Sequence, residues 1–105
     1  MNGLKYDKDK LRYDLLPAVA LEQIVSVLTF GAKKYAPENW RKVDDAHSRY
    51  FAAAQRHLWA WQKGELNDKE TGESHLAHAA CCLMFLAEIE REGVCQQVKA
   101  VNQGQ

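Results

Sequence analysis

Between Leu76 and Ile89 the apolar residues Leu76, Ala79, Leu83, Leu86 and Ile89 recur every three or four positions. A segment with that spacing buries one side only as an α-helix, and here it predicts a helix from about Glu73 to Glu92, stopped by Gly93. Two other segments repeat the pattern. Leu21, Ile24, Val25 and Leu28 follow Pro17, a residue suited to a first helical turn, and predict a helix over Pro17–Lys34. Tyr50, Ala53, Ala54, His57, Leu58 and Trp61 predict another, capped by Asp45 or Ser48 and running to about Lys63, with Gly64 as its stop. No stretch alternates at period two for long enough to make a strand, so the expected class is all-α.

The remaining segments fall around these helices. A chain of 105 residues suffices for a single helical domain, residues 1–105, and no internal repeat suggests a second unit. Residues 1–16 mix charged and bulky side chains without helical caps, and are expected to form an ordered, irregular arm held by Leu4, Tyr6, Leu11, Tyr13 and Leu15. Pro37 and Asn39 break the pattern between the first two helices, giving a loop that displays Trp40. Residues 94–105 form a polar tail, a short helix or a frayed end. Three helices of this length enclose little core, and Trp59, Trp61, Phe85 and Leu86 fall on more than one face. A helical bundle completed by further copies of the chain, a homo-oligomer, is therefore expected.

Charge excludes some partners. Lys plus Arg and Asp plus Glu number 14 each, so no basic excess favours a nucleic acid polymer or an anionic membrane. No apolar run approaches the roughly 18 to 20 residues of a membrane span, and no segment resembles a signal peptide. The three cysteines are an odd count with Cys81 and Cys82 adjacent in a helical pattern, which suits a reducing cytoplasm better than a disulfide framework.

Chemistry concentrates in the segment from Glu73 to Cys82. His75 and His78 share a helix face, and an antiparallel hairpin brings His57 to them. Imidazoles with the nearby Glu73 can bind a divalent metal that polarises a phosphoryl oxygen or lowers the pKa of bound water. Equally, histidines at this spacing can satisfy hydrogen bonds in a helix interface, and the pair lacks the Glu of the zinc-protease motif. Lys33, Lys34 and Arg41, with Tyr35 and Trp40 nearby, are the cations and ring faces that hold a nucleotide's phosphates and base, or simply a solvated helix end. Cys81 and Cys82 are expected in the core, and the four acids between Glu65 and Glu73 either hold magnesium or, as the plainer expectation, solvate a turn.

Several segments together resemble a known family. Lys10–Pro17 (KLRYDLLP), Leu28–Tyr35 (LTFGAKKY), Asn39-Trp40, Arg49-Tyr50-Phe51, Arg56–Trp61 (RHLWAW) and Ser74–Ala79 (SHLAHA) are similar, in the same order, to the phage and prophage domain called dATP/dGTP diphosphohydrolase, N-terminal. The likeness spans about Gly3 to Leu86. It implies a phage-associated protein of the host cytoplasm that cleaves purine deoxynucleoside triphosphates to monophosphate and pyrophosphate. On that implication His57, Glu73, His75 and His78 are the catalytic candidates. His57, His75 and His78 are the ligands for magnesium, manganese or zinc, and Arg12, Lys33, Lys34, Tyr35 and Trp40 bind the substrate.

A more distant resemblance is to the MazG-type all-α nucleotide pyrophosphatases, oligomers that hold magnesium on paired carboxylates of two helices. The segment Ser48–Lys63 contains no Asp or Glu, and His75 and His78 stand where a carboxylate pair is wanted, so a histidine-based metal site or a non-catalytic nucleotide binder are both consistent with this chain. A structural helical adaptor with packed histidines is the third possibility.

Overall fold

The computed structural model describes residues 2–103, with side chains as far as Gly93. Three α-helices follow an irregular start: α1 (Ala18–Lys34), α2 (Ala46–Gln62) and α3 (His75–Gln103), with 3-10 turns at Tyr13–Leu15 and Asn39–Lys42. Among the described residues there is no strand, only a lone bridge between Asn67 and Ser74, and the fold is all-α.

The helix ends follow local chemistry. Pro17 occupies the N-cap of α1, one residue earlier than the first helical position expected of it. Asp45 precedes α2 in a left-handed conformation (φ 52, ψ 43), and its side chain makes no capping bond. Gly64 at φ 104 turns the chain out of α2, and the Glu65 N–H reaches back to the Ala60 carbonyl at 3.0 Å. Ser74 opens α3 by accepting the Leu76 N–H on its hydroxyl at 3.1 Å, which leaves Glu73 outside the helix.

The expected stop at Gly93 is absent. Glycine ends a helix by taking a left-handed φ, as Gly64 and Gly72 do, and Gly93 does not. A methyl group at Gly93 would meet nothing within 4 Å among the described residues, so no described neighbour forces a reversal. The helix runs through at a cost of about 1 kcal/mol relative to alanine, and the expected separate tail becomes the last turns of α3.

α2 and α3 form an antiparallel hairpin: His57, late in α2, meets the first turn of α3, while Tyr50, early in α2, meets Phe85. The buried core is built of small side chains, Ala54 on α2 with Ala77, Ala79, Cys81 and Cys82 on α3. α1 leans on α3 through the Cys81 thiol, 3.6 Å from the Ile24 carbonyl, and through Ser26, whose hydroxyl donates to Glu73 at 2.8 Å. The cysteines occupy the core as expected, and burial pushes the Cys81 thiol up to about 12.

Two expectations about packing fail within one chain. Leu4, Tyr6, Leu11, Tyr13 and Leu15 are 68–84% exposed, so the arm is not held by them. What orders it locally is the 3-10 turn and an Arg12–Asp14 ion pair at 2.7 Å. Trp40 is not displayed either: its ring stacks on Phe85 with centroids 4.6 Å apart, and the Arg41 guanidinium lies 4.4 Å from it. Arg41 in turn pairs with Glu88 and Glu92 of α3. The radius of gyration is 18.0 Å, against about 13 Å for a compact chain of 100 residues.

Candidate functional site

A cleft of about 970 Å³ opens between α1 and α2, floored by α3. That volume lies at the upper end of ordinary small-molecule sites, which run from about 300 to 1,000 Å³. One end carries His57, His78, Asp68 and Thr71, and Trp40 and Tyr50 pack on Phe85 toward the other. Lys34, Arg49 and Arg56 contribute the cations.

The hairpin brings the three histidines together. His57 Nδ1 and His75 Nδ1 are 2.8 Å apart, and the His57 ring stacks on His78 at 4.5 Å with 13° between planes. His75 is buried, and its Nε2 lies 3.2 Å from Glu65 Oε1. His78 is turned differently: its Nε2 meets the Thr71 hydroxyl at 2.7 Å and stands 3.8 Å from Asp68 Oδ2. Burial, together with the other imidazoles, holds His57 below the ordinary histidine range, and burial lowers His78 despite the opposing Asp68 charge. Both are neutral near pH 7.

Asp68 is what the sequence did not single out. Its turn is not merely solvated: Oδ2 accepts the N–H groups of Glu70 and Thr71, both at 3.0 Å, and the Thr71 hydroxyl at 3.3 Å. Burial alone would raise its carboxyl, but the Thr71 N–H, His78 and the Glu70 N–H outweigh it and leave the group below its usual value. One donor atom from each of His57, Asp68 and His75 lies within 4.8 Å of the others. The signal was present in Asp68–Gly72 (DKETG), where an Asp three residues before Thr and four before Gly suits an Asx-type turn that fixes the carboxylate.

The other sequence candidates divide. Lys34, Tyr35 and Trp40 line the cleft, and Lys34 pairs with Glu70 at 2.6 Å, which raises its ammonium pKa. Tyr35 is exposed with Lys34 Nζ 5.2 Å from its ring. Glu73, bonded to Ser26, Lys33 and the buried His75 lie outside the lining, and Arg12 is on the arm with Asp14. Arg49 and Arg56 are cleft cations not singled out from the sequence, although they lie seven residues apart and so on one face of α2; among the described residues neither forms an ion pair.

A family model described as dATP/dGTP diphosphohydrolase, N-terminal, matches residues 1–99. The chain is 36% identical over 88 residues to a protein named dATP/dGTP diphosphohydrolase from Salmonella phage PMBT28. The match covers 82% of this chain and 29% of that relative's length. No solved structure gives a significant match.

Proposed function

The chain belongs to the family of dATP/dGTP diphosphohydrolase N-terminal domains, and on that premise we propose that its cleft binds and hydrolyses purine deoxynucleoside triphosphates. The observation that supports this most is one cleft of nucleotide size with neutral histidines and a fixed carboxylate at one end and aromatic rings at the other. The triphosphate lies toward the histidines, where Arg56 and Lys34 offset its charge. Arg12 and Lys33, outside the lining, are not needed for this. Tyr35 stacks on the base from its exposed position. Trp40, already against Phe85 and Arg41, shapes that end.

In the reaction a water oxygen bonds to the α-phosphorus, the bond to the bridging oxygen breaks, and pyrophosphate leaves with that oxygen. His78, neutral near pH 7 and engaged with Thr71 through Nε2, takes the water's proton on Nδ1. His57 and His75 would help hold a divalent metal at the histidine end, which would supply Lewis-acid polarisation of the phosphoryl oxygen and a more acidic water. Incubating the purified chain with dATP or dGTP and magnesium, manganese or zinc, then separating products by anion exchange, is the test. Deoxynucleoside monophosphate with equimolar pyrophosphate is expected; intact triphosphate under every metal ends the hydrolase reading.

A second reading is a non-catalytic protein that sequesters a nucleotide signal of host immunity, favoured by one observation: α2 carries no Asp or Glu with which to hold magnesium. Intact nucleotide recovered from a tight complex would support it, and cleaved product excludes it.

A further inference from the structure

We infer that His57, His75 and Asp68 form a mononuclear site for a divalent transition ion, with zinc the best match to its donors. The inference deepens the hydrolase reading and borders the same cleft, which His57 and Asp68 line while His75 is buried outside its lining, but it rests on its own geometry. Two nitrogens each bound at about 2.0–2.1 Å to one ion, with 90–110° between the bonds, stand about 2.8–3.4 Å apart. His57 Nδ1 and His75 Nδ1, at 2.8 Å, already hold that separation. The third donor, a carboxylate oxygen of Asp68, is within 4.8 Å of both and closes with a small side-chain movement.

The surroundings orient two of the three donors as a metal site requires. A ligating histidine keeps its other nitrogen on a carboxylate, which fixes the tautomer and raises the ligand's basicity. His75 has this arrangement: Nε2–H donates to Glu65 at 3.2 Å, which leaves the Nδ1 lone pair facing His57. The turn bonds to Asp68 all fall on Oδ2, so the carboxylate is aimed without using Oδ1. His78, committed to Thr71, stands beside the site as a base and not within it. This alters the ligand set that helical spacing suggested, because Asp68 takes the place that His78 was expected to fill.

Two nitrogens and one oxygen select the metal class. Magnesium demands near-octahedral oxygen coordination and dehydrates reluctantly, whereas imidazole suits zinc and the neighbouring transition ions. Three protein ligands also leave a position open for water or a phosphate oxygen, the pattern of catalytic zinc sites.

The test is metal binding by the chelator-stripped chain, read without turnover. Cobalt(II) should bind one per chain and give visible d–d absorption, zinc should displace it, and millimolar magnesium should not. D68N and H75Q should each weaken cobalt binding at least tenfold. E65Q, a change at a half-exposed residue that leaves the fold intact, should weaken it roughly 10–100-fold as an outer-sphere effect. Absence of stoichiometric cobalt binding overturns the inference, as do displacement by magnesium at equal concentration or wild-type affinity in D68N and H75Q. H78Q losing as much affinity as H75Q would put His78 in the ligand set and overturn the assignment of Asp68. Tight metal binding without triphosphate turnover upholds the site and defeats the hydrolase reading, and turnover by metal-free protein does the reverse.

Discussion

Replacing Asp68 separates its work in the turn from the role proposed for it in the chemistry. Oδ2 accepts two backbone N–H groups at 3.0 Å and the Thr71 hydroxyl at 3.3 Å. Asp68→Ala removes all three. Glu70 is exposed and its N–H finds water, but Thr71 is half-buried and its N–H is only partly rehydrated. A buried unsatisfied group costs about 1–3 kcal/mol, so the lower part of that range, about 1–2 kcal/mol, applies here. At about 4–8 °C per kcal/mol for a small domain, the melting temperature should fall by about 4–16 °C. Asp68→Asn keeps an acceptor facing the same amides and loses only the charge, whose benefit is already reduced by burial, so about half that loss is expected. Both variants should lose triphosphate hydrolysis by at least about 100-fold, roughly 2.7 kcal/mol of transition-state stabilisation. Thermal melts beside initial rates check this. Full turnover by Asp68→Asn would refute the chemical role, and an unchanged melt for Asp68→Ala would refute the turn's contribution.

Tyr35→Ala should raise KM by roughly 5–150-fold, the 1–3 kcal/mol typical of base stacking, with kcat little changed in steady-state kinetics. Iodoacetamide at pH 8 should leave Cys81 and Cys82 unmodified in the native chain, since both are buried and Cys81 titrates only at about 12; peptide mass mapping reads each site. In EDTA, stability should fall as pH drops from about 6.5, because His57 and His78 are lowered in the fold and the unfolded chain takes up their protons first. Denaturant midpoints at pH 7.5 and 5.5 show the direction. Light scattering should give at least twice the 12.0 kDa chain mass, since a second copy would cover the exposed arm side chains together with Trp59 and Leu83.

The three helices were legible because each buries one stripe of side chains, and that requirement writes a 3.6-residue period into the sequence. The passage of α3 through Gly93 was not, since a glycine stops a helix only when the chain has reason to turn, and the sequence does not show that nothing there forces it. The convergence of His57, His75 and His78 followed from helical spacing and one hairpin. Asp68 escaped because its carboxylate is fixed by backbone amides of a turn, a relation without side-chain period. Trp40 was misplaced for a similar reason. Its partner Phe85 lies 45 positions away, and only the antiparallel packing of α2 and α3 brings the two rings into a stack.

The central claim is that the phosphates of a purine deoxynucleotide lie at the histidine end of the cleft. The most direct measurement is phosphorus-31 relaxation of a non-hydrolysable dATP analogue bound to the cobalt-loaded chain. Strong paramagnetic relaxation at the phosphorus nuclei, with a weaker effect on the base protons, is the expected result. Relaxation strongest at the base, or none at a concentration where the analogue is bound, would contradict it.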